Sequence, residues 1–83
     1  MTQLTGFVRL AGGSPPPAAT VEVLNAGGVV VDQVRVGEDG GFTFHLTRGR
    51  WSFFAYDPEG HRARGQLAIS DDDRVADLTL ELS

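Results

Sequence analysis

Residues 38–56 read Glu38-Asp39-Gly40-Gly41-Phe42-Thr43-Phe44-His45-Leu46-Thr47-Arg48-Gly49-Arg50-Trp51-Ser52-Phe53-Phe54-Ala55-Tyr56. The stretch opens on a turn, because Asp-Gly and Gly-Gly supply positive φ at little steric cost. Phe42, Phe44 and Leu46 then alternate with Thr43, His45 and Thr47. Thr47-Arg48-Gly49 interrupts, and Trp51, Phe53 and Ala55 alternate with Ser52, Phe54 and Tyr56. Period two on both sides of a glycine turn is a pair of strands, each with one buried face. The phase places Phe42, Phe44, Trp51 and Phe53 inward as the aromatic centre of a core.

The same period continues in both directions. Upstream, Leu4, Gly6, Val8 and Leu10 alternate with Gln3, Thr5, Phe7 and Arg9. Gly12-Gly13-Ser14-Pro15-Pro16-Pro17 breaks that pattern as a stiff surface connection, since proline cannot donate to a ladder. Ala19, Val21 and Val23 alternate with Thr20, Glu22 and Leu24, and Asn25-Ala26-Gly27-Gly28 turns the chain. Val29–Val36 is β-branched, with Val34 and Val36 inward. Downstream of the Asp57-Pro58-Glu59-Gly60 turn, His61–Ile69 is a weaker strand. Ser70-Asp71-Asp72-Asp73 is a polar loop, and Val75–Leu82 ends the chain with Ala76, Leu78, Leu80 and Leu82 on one face. Seven strands at roughly ten-residue spacing, without a helix, predict an all-β Greek-key sandwich over residues 1–83. Connections this short exclude a parallel α/β fold.

The quoted runs resemble a family in their order along the chain. Thr5-Gly6-Phe7-Val8, Pro17-Ala18-Ala19-Thr20-Val21-Glu22-Val23, Glu38-Asp39-Gly40-Gly41-Phe42-Thr43-Phe44 and Arg48-Gly49-Arg50-Trp51-Ser52-Phe53 are similar to the carboxypeptidase regulatory-like (transthyretin-like) β-sandwich. Two positions depart from its usual pattern. Val36-Gly37 stands where Thr-Asp is usual, and His61 replaces the tyrosine that usually follows Gly60. The resemblance implies a seven-stranded sandwich acting as an accessory or structural domain. Short actinobacterial proteins encoded beside thiosulfate sulfurtransferase genes are also similar, which implies an accessory place in sulfur metabolism as a further reading.

Composition narrows the function. The chain has 83 residues, a net charge of −4 and no cysteine, so it carries neither a disulfide nor a thiolate metal site. No nucleic-acid partner is expected on this balance, because phosphate binding needs a basic face. No apolar run approaches the roughly 18 residues of a membrane span. Met1-Thr2-Gln3 leads straight into a strand with no secretion signal, so the expected place is the cytoplasm, unless the domain was cut from a larger secreted protein.

Chemistry finds few residues. A serine triad would draw on Ser14, Ser52, Ser70 or Ser83 with His45 or His61, and none lies in a nucleophile elbow. Among related sandwiches, hydroxyisourate hydrolases end in Tyr-Arg-Gly-Ser, whereas this chain ends Leu80-Glu81-Leu82-Ser83. Intradiol dioxygenases hold iron with two tyrosines and two histidines, and Tyr56 is the single tyrosine here. The expectation is no catalysis, no cofactor and no metal. Asp71-Asp72-Asp73, with Asp57 or Glu59, lacks the glycine a calcium loop uses to wrap its ion. Arg48, Arg50, Arg62 and Arg64 are read as ion-pair partners of Asp57 and Glu59, with a basic patch for an anionic partner as the alternative.

What remains is apolar surface on the wrong parity. With Trp51, Phe53 and Ala55 inward, Phe54 and Tyr56 point outward, and so do Phe7 and Leu24. Aromatics favour protein contacts. Phe54, Tyr56, Leu24 and His45 are therefore the expected interface, to a protein partner or a second copy in a homo-oligomer. Carbohydrate stacking on Phe54 and Tyr56 is the alternative.

Overall fold

The computed structural model describes residues 2–13, 18–70, 72 and 74–82. Pro15–Pro17, Asp71 and Asp73 lie outside the described residues, and so do Ser14 and Ser83. The polyproline connection and most of the triple-aspartate loop therefore fall there. The described residues form seven strands: β1 (Thr2–Leu10), β2 (Thr20–Leu24), β3 (Val30–Arg35), β4 (Gly41–Leu46), β5 (Gly49–Tyr56), β6 (Arg62–Ile69) and β7 (Val75–Leu82). They make two sheets, ordered β4-β1-β7 and β3-β2-β5-β6. No helix long and apolar enough to cross a membrane occurs among them.

Four of the five strand pairings among the described residues are antiparallel, and one is parallel. β1 lies between β4 and β7, antiparallel to the first and parallel to the second, with Gln3 opposite Val75 and Leu10 opposite Leu82. Parallel strands need a long crossover. Here that crossover is the entire second sheet and β4.

The core lies between the sheets. Leu4, Val8, Phe42, Phe44, Leu46, Leu80 and Leu82 face Val21, Val23, Phe53, Ala55 and Ile69. Phe44 links the layers: its ring centroid is 5.8 Å from Phe42 within its sheet and 6.3 Å from Phe53 across the gap. Both pairs are tilted, the arrangement aromatic quadrupoles prefer. Trp51 stops short of this centre. It has the inward parity but is half-buried, packs against the core's margin, and donates its Nε1–H to the Thr47 carbonyl at 2.9 Å. A buried indole needs an acceptor for its N–H, and the corner before β5 provides it.

Two glycines make this packing attainable. Gly6 pairs directly with Phe42 across β1 and β4, and a Cβ at Gly6 would lie 2.2 Å from the ring's Cζ. The missing side chain is where the ring sits. Gly40 has φ of +81°, and its carbonyl accepts a hydrogen bond from the Val8 N–H at 2.8 Å. A side chain there would be strained by φ and would meet the Val8 carbonyl oxygen at 2.3 Å.

β3 departs from the expected pattern. It begins at Val30, and a register shift between Val23 and Leu24 sets Leu24 opposite Val30. Val29, Val30 and Val31 are all exposed, Val29 at 59%. Val34 is half-buried, and the buried Val36 lies past the strand's end, its N–H donating to the Ala19 carbonyl.

Candidate interaction face on the four-stranded sheet

The outward residues of β3-β2-β5-β6 form rows, because directly paired residues share a face. One row runs Arg35, Thr20, Tyr56, Arg62. The next runs Gln33, Glu22, Phe54, Arg64. The third carries Val30, Leu24, Ser52 and Gln66, and Arg50 faces Ala68 beyond it.

Phe54 and Tyr56 thus stand on the outer face as the alternation requires, yet neither is fully exposed. Their rings pack on each other at 5.7 Å and 47°, and the Arg64 guanidinium lies 5.6 Å above the Phe54 ring. That cation–π contact fills a ring face. Leu24 is half-buried one row away, diagonal to Phe54. A hollow of about 710 Å³ opens between them, lined by Glu22, Leu24, Ser52, Phe54, Arg64 and Gln66. His45 does not join this face. It stands exposed on β4 opposite Gln3, in the other sheet, so Phe54, Tyr56 and Leu24 come together without it. Phe7, also outward, belongs to that other sheet too. Ser52 lies on the four-stranded sheet and His45 on the three-stranded one, so neither is placed for a Ser–His pair.

The turn after β5 holds the one tight cluster of titratable groups described. Asp57 is buried, and its Oδ1 accepts the backbone N–H groups of Glu59 and His61 at 3.0 and 2.9 Å. Its Oδ2 meets His61 Nδ1 at 2.8 Å. Burial pushes the Asp57 carboxyl up, but the His61 ring, the His61 charge and the two N–H donors outweigh it and hold the group below its ordinary 3.8. Glu59 Oε2 lies 4.0 Å from the same imidazole nitrogen, so the three residues have the composition of a metal site. Both Asp57 oxygens are already committed to closing the turn, which accounts for the cluster without an ion. The expected pairing of Asp57 and Glu59 with arginines gives way to this arrangement. His61 is nearer along the chain, bonds Asp57 directly and has Glu59 at 4.0 Å.

Seven strands in two sheets closed over an aromatic centre make a transthyretin-like β-sandwich. The chain belongs to the carboxypeptidase regulatory-like domain family, whose profile matches residues 3–83. No curated protein sequence matches it. Among solved structures it is similar to a variant of BcpA, the major pilin subunit of Bacillus cereus, at TM-score 0.79 and 14% identity, covering 100% of this chain and 30% of the pilin. It is similar to the Bacillus anthracis TIE protein at TM-score 0.75 and 13% identity, covering 99% of this chain and 16% of that protein. Klebsiella pneumoniae 5-hydroxyisourate hydrolase matches at TM-score 0.71 and 18% identity, over 100% of this chain and 92% of the enzyme. At these identities the likeness is one of fold. The chain spans less than a third of the pilin and of the TIE protein.

Proposed function

We propose that this chain is a non-catalytic interaction module that binds a protein through the outer face of β3-β2-β5-β6. The observation that carries the reading is the Phe54–Tyr56 pair, two aromatics in succession on the solvent side of a strand where polar residues are the rule. The hollow beside Phe54 gives an incoming side chain a seat. The regulatory-like family and the pilin's use of the same fold within a longer chain support an assembly role. The hydrolase shares the fold alone, and fold does not carry activity. Carbohydrate binding is the weaker reading, because stacking needs an open ring, and the two rings lean on each other while Arg64 lies over Phe54.

The test is the double variant Phe54→Ser, Tyr56→Ser. Neither side chain belongs to the core, so the far-ultraviolet spectrum and cooperative unfolding should persist. Partner capture in pull-downs, identified by mass spectrometry, should be lost. A folded variant that keeps every partner of the parent chain defeats the proposal.

A further inference from the structure

The two outer faces of the sandwich differ in charge. The face that carries Phe54 and Tyr56 also carries Arg35, Arg50, Arg62 and Arg64, opposed by Glu22 alone. It is therefore +3 on a chain of −4, and everything else carries −7. Among the described residues none of these four arginines pairs with a carboxylate. The β4-β1-β7 face has Arg9 against Asp77 and Glu81. Arg35 joins the patch only through the register of β3 with β2, opposite Thr20.

We infer that the partner is an extended acidic segment of another protein, laid across the strands, with carboxylates at positions i and i+4 and an apolar residue at i+2. This rests on the interaction face proposed above. Arg35 and Arg62 end one row, three strand spacings apart, which is about 14 Å at ~4.8 Å per strand. Alternate side chains of an extended chain point the same way, and i and i+4 lie about 13 Å apart at ~3.3 Å per residue. Two acidic side chains at that spacing reach both arginines. The side chain between them then falls on the Thr20–Tyr56 pair, beside Phe54. Arginine forks match carboxylates in bidentate geometry.

The same charge selects against other occupants. A second copy docking face to face would set one +3 surface on another, and like charges brought together oppose association. A single-stranded nucleic acid would find arginines, but it also needs free ring faces on which bases stack. Phe54 is covered by Arg64 and tilted onto Tyr56.

The experiment is a titration of the ¹⁵N-labelled chain, followed by amide shifts. Three capped peptides are used: Ser-Glu-Ser-Leu-Ser-Glu-Ser, the composition-matched Ser-Glu-Glu-Leu-Ser-Ser-Ser, and Ser-Lys-Ser-Leu-Ser-Lys-Ser. A short oligothymidylate serves as a fourth ligand. The spaced acidic peptide should shift Thr20, Tyr56, Arg62 and their row neighbours saturably. It should bind about tenfold more tightly than the clustered peptide, lose that margin in Arg35→Ala, Arg62→Ala, and weaken as salt rises. The lysine peptide should not bind. Absence of saturable shifts, equal binding of the two acidic peptides, tighter binding of the oligonucleotide, or a dimer dispersed by Phe54→Ser, Tyr56→Ser would each overturn the inference. If the peptides fail while the serine double variant still loses its protein partner, the interaction face stands and only its acidic specificity falls.

Discussion

Replacing Gly6 by alanine adds one methyl group where the Phe42 ring already fills the space between β1 and β4. That carbon would stand 2.2 Å from Phe42 Cζ, 2.7 Å from Phe42 Cε1 and 2.7 Å from the Leu78 carbonyl oxygen. The ring must withdraw by more than an ångström to reach the ~3.5 Å at which carbon atoms cease to repel. Behind it lies Phe44, itself packed on Phe53. Overpacking of this kind costs about 1–3 kcal/mol. Removing a glycine from a strand returns ~0.5–1 kcal/mol. The net loss should be about 1 kcal/mol, or roughly 4–8 °C in melting midpoint for a domain this size. The decisive assay is a double-mutant cycle with Phe42→Leu, read by urea unfolding. The leucine variant alone should lose about 1–2 kcal/mol, a part of the ~3–5 kcal/mol for full truncation of a buried phenylalanine. In the pair, the new methyl group occupies the space the ring has left. The double variant should therefore be more stable than the summed losses by at least ~1 kcal/mol. A neutral Gly6→Ala, or losses that add within ~0.5 kcal/mol, would refute the claim that ring and glycine share one volume.

Gly40→Ala should cost at least ~2–3 kcal/mol, since φ and the Val8 carbonyl both oppose it. Gly28→Ala, at φ +82° with open space around it, should cost about 1 kcal/mol, and equal losses would count against the Val8 contact. Phe44→Ala should lose ~3–5 kcal/mol and Phe54→Ala a small fraction of that, and the reverse order of urea midpoints would mean a sheet register off by one. The lowered Asp57 carboxyl contributes stability that is complete above its ordinary 3.8 and drains away as pH falls through its lower folded value. The stability gap between the parent chain and Asp57→Asn should therefore close on acidification, and a gap constant from about pH 6 to pH 2 would contradict the His61 interaction.

The parity of residues 42–56 was legible because a glycine turn fixes the phase and large aromatics alternate with polar residues on both sides. Trp51 shows the limit of that reading. Parity gives the direction of a side chain, whereas depth depends on how far along the sheet the strand has travelled, and Trp51 enters at the corner held by Thr47. β3 was harder. Val29–Val31 is uniformly β-branched, so it has no alternation to read, and the bulge opposite Leu24 turns an apolar run into exposed edge. The basic face was half visible. Arg62 and Arg64 fall on the parity of a recognisable strand, but Arg35 joins them only through a register that no local pattern encodes. The Asp57–His61 contact spans four residues across a turn. The proline and glycine there marked the turn without showing that the aspartate would be spent closing it.

The parallel pairing of β1 with β7 has a mechanical consequence. Thr2 lies at one end of the shared ladder and Leu82 at the other, with eight register pairs from Gln3–Val75 to Leu10–Leu82 between them. Tension applied through the two chain ends would run along this seam. It would load the slanted, evenly spaced hydrogen bonds of a parallel pair together, in shear, rather than peel them one at a time. A sandwich strung into a longer chain by these ends would behave as a stiff link that resists stretching until the whole seam gives way.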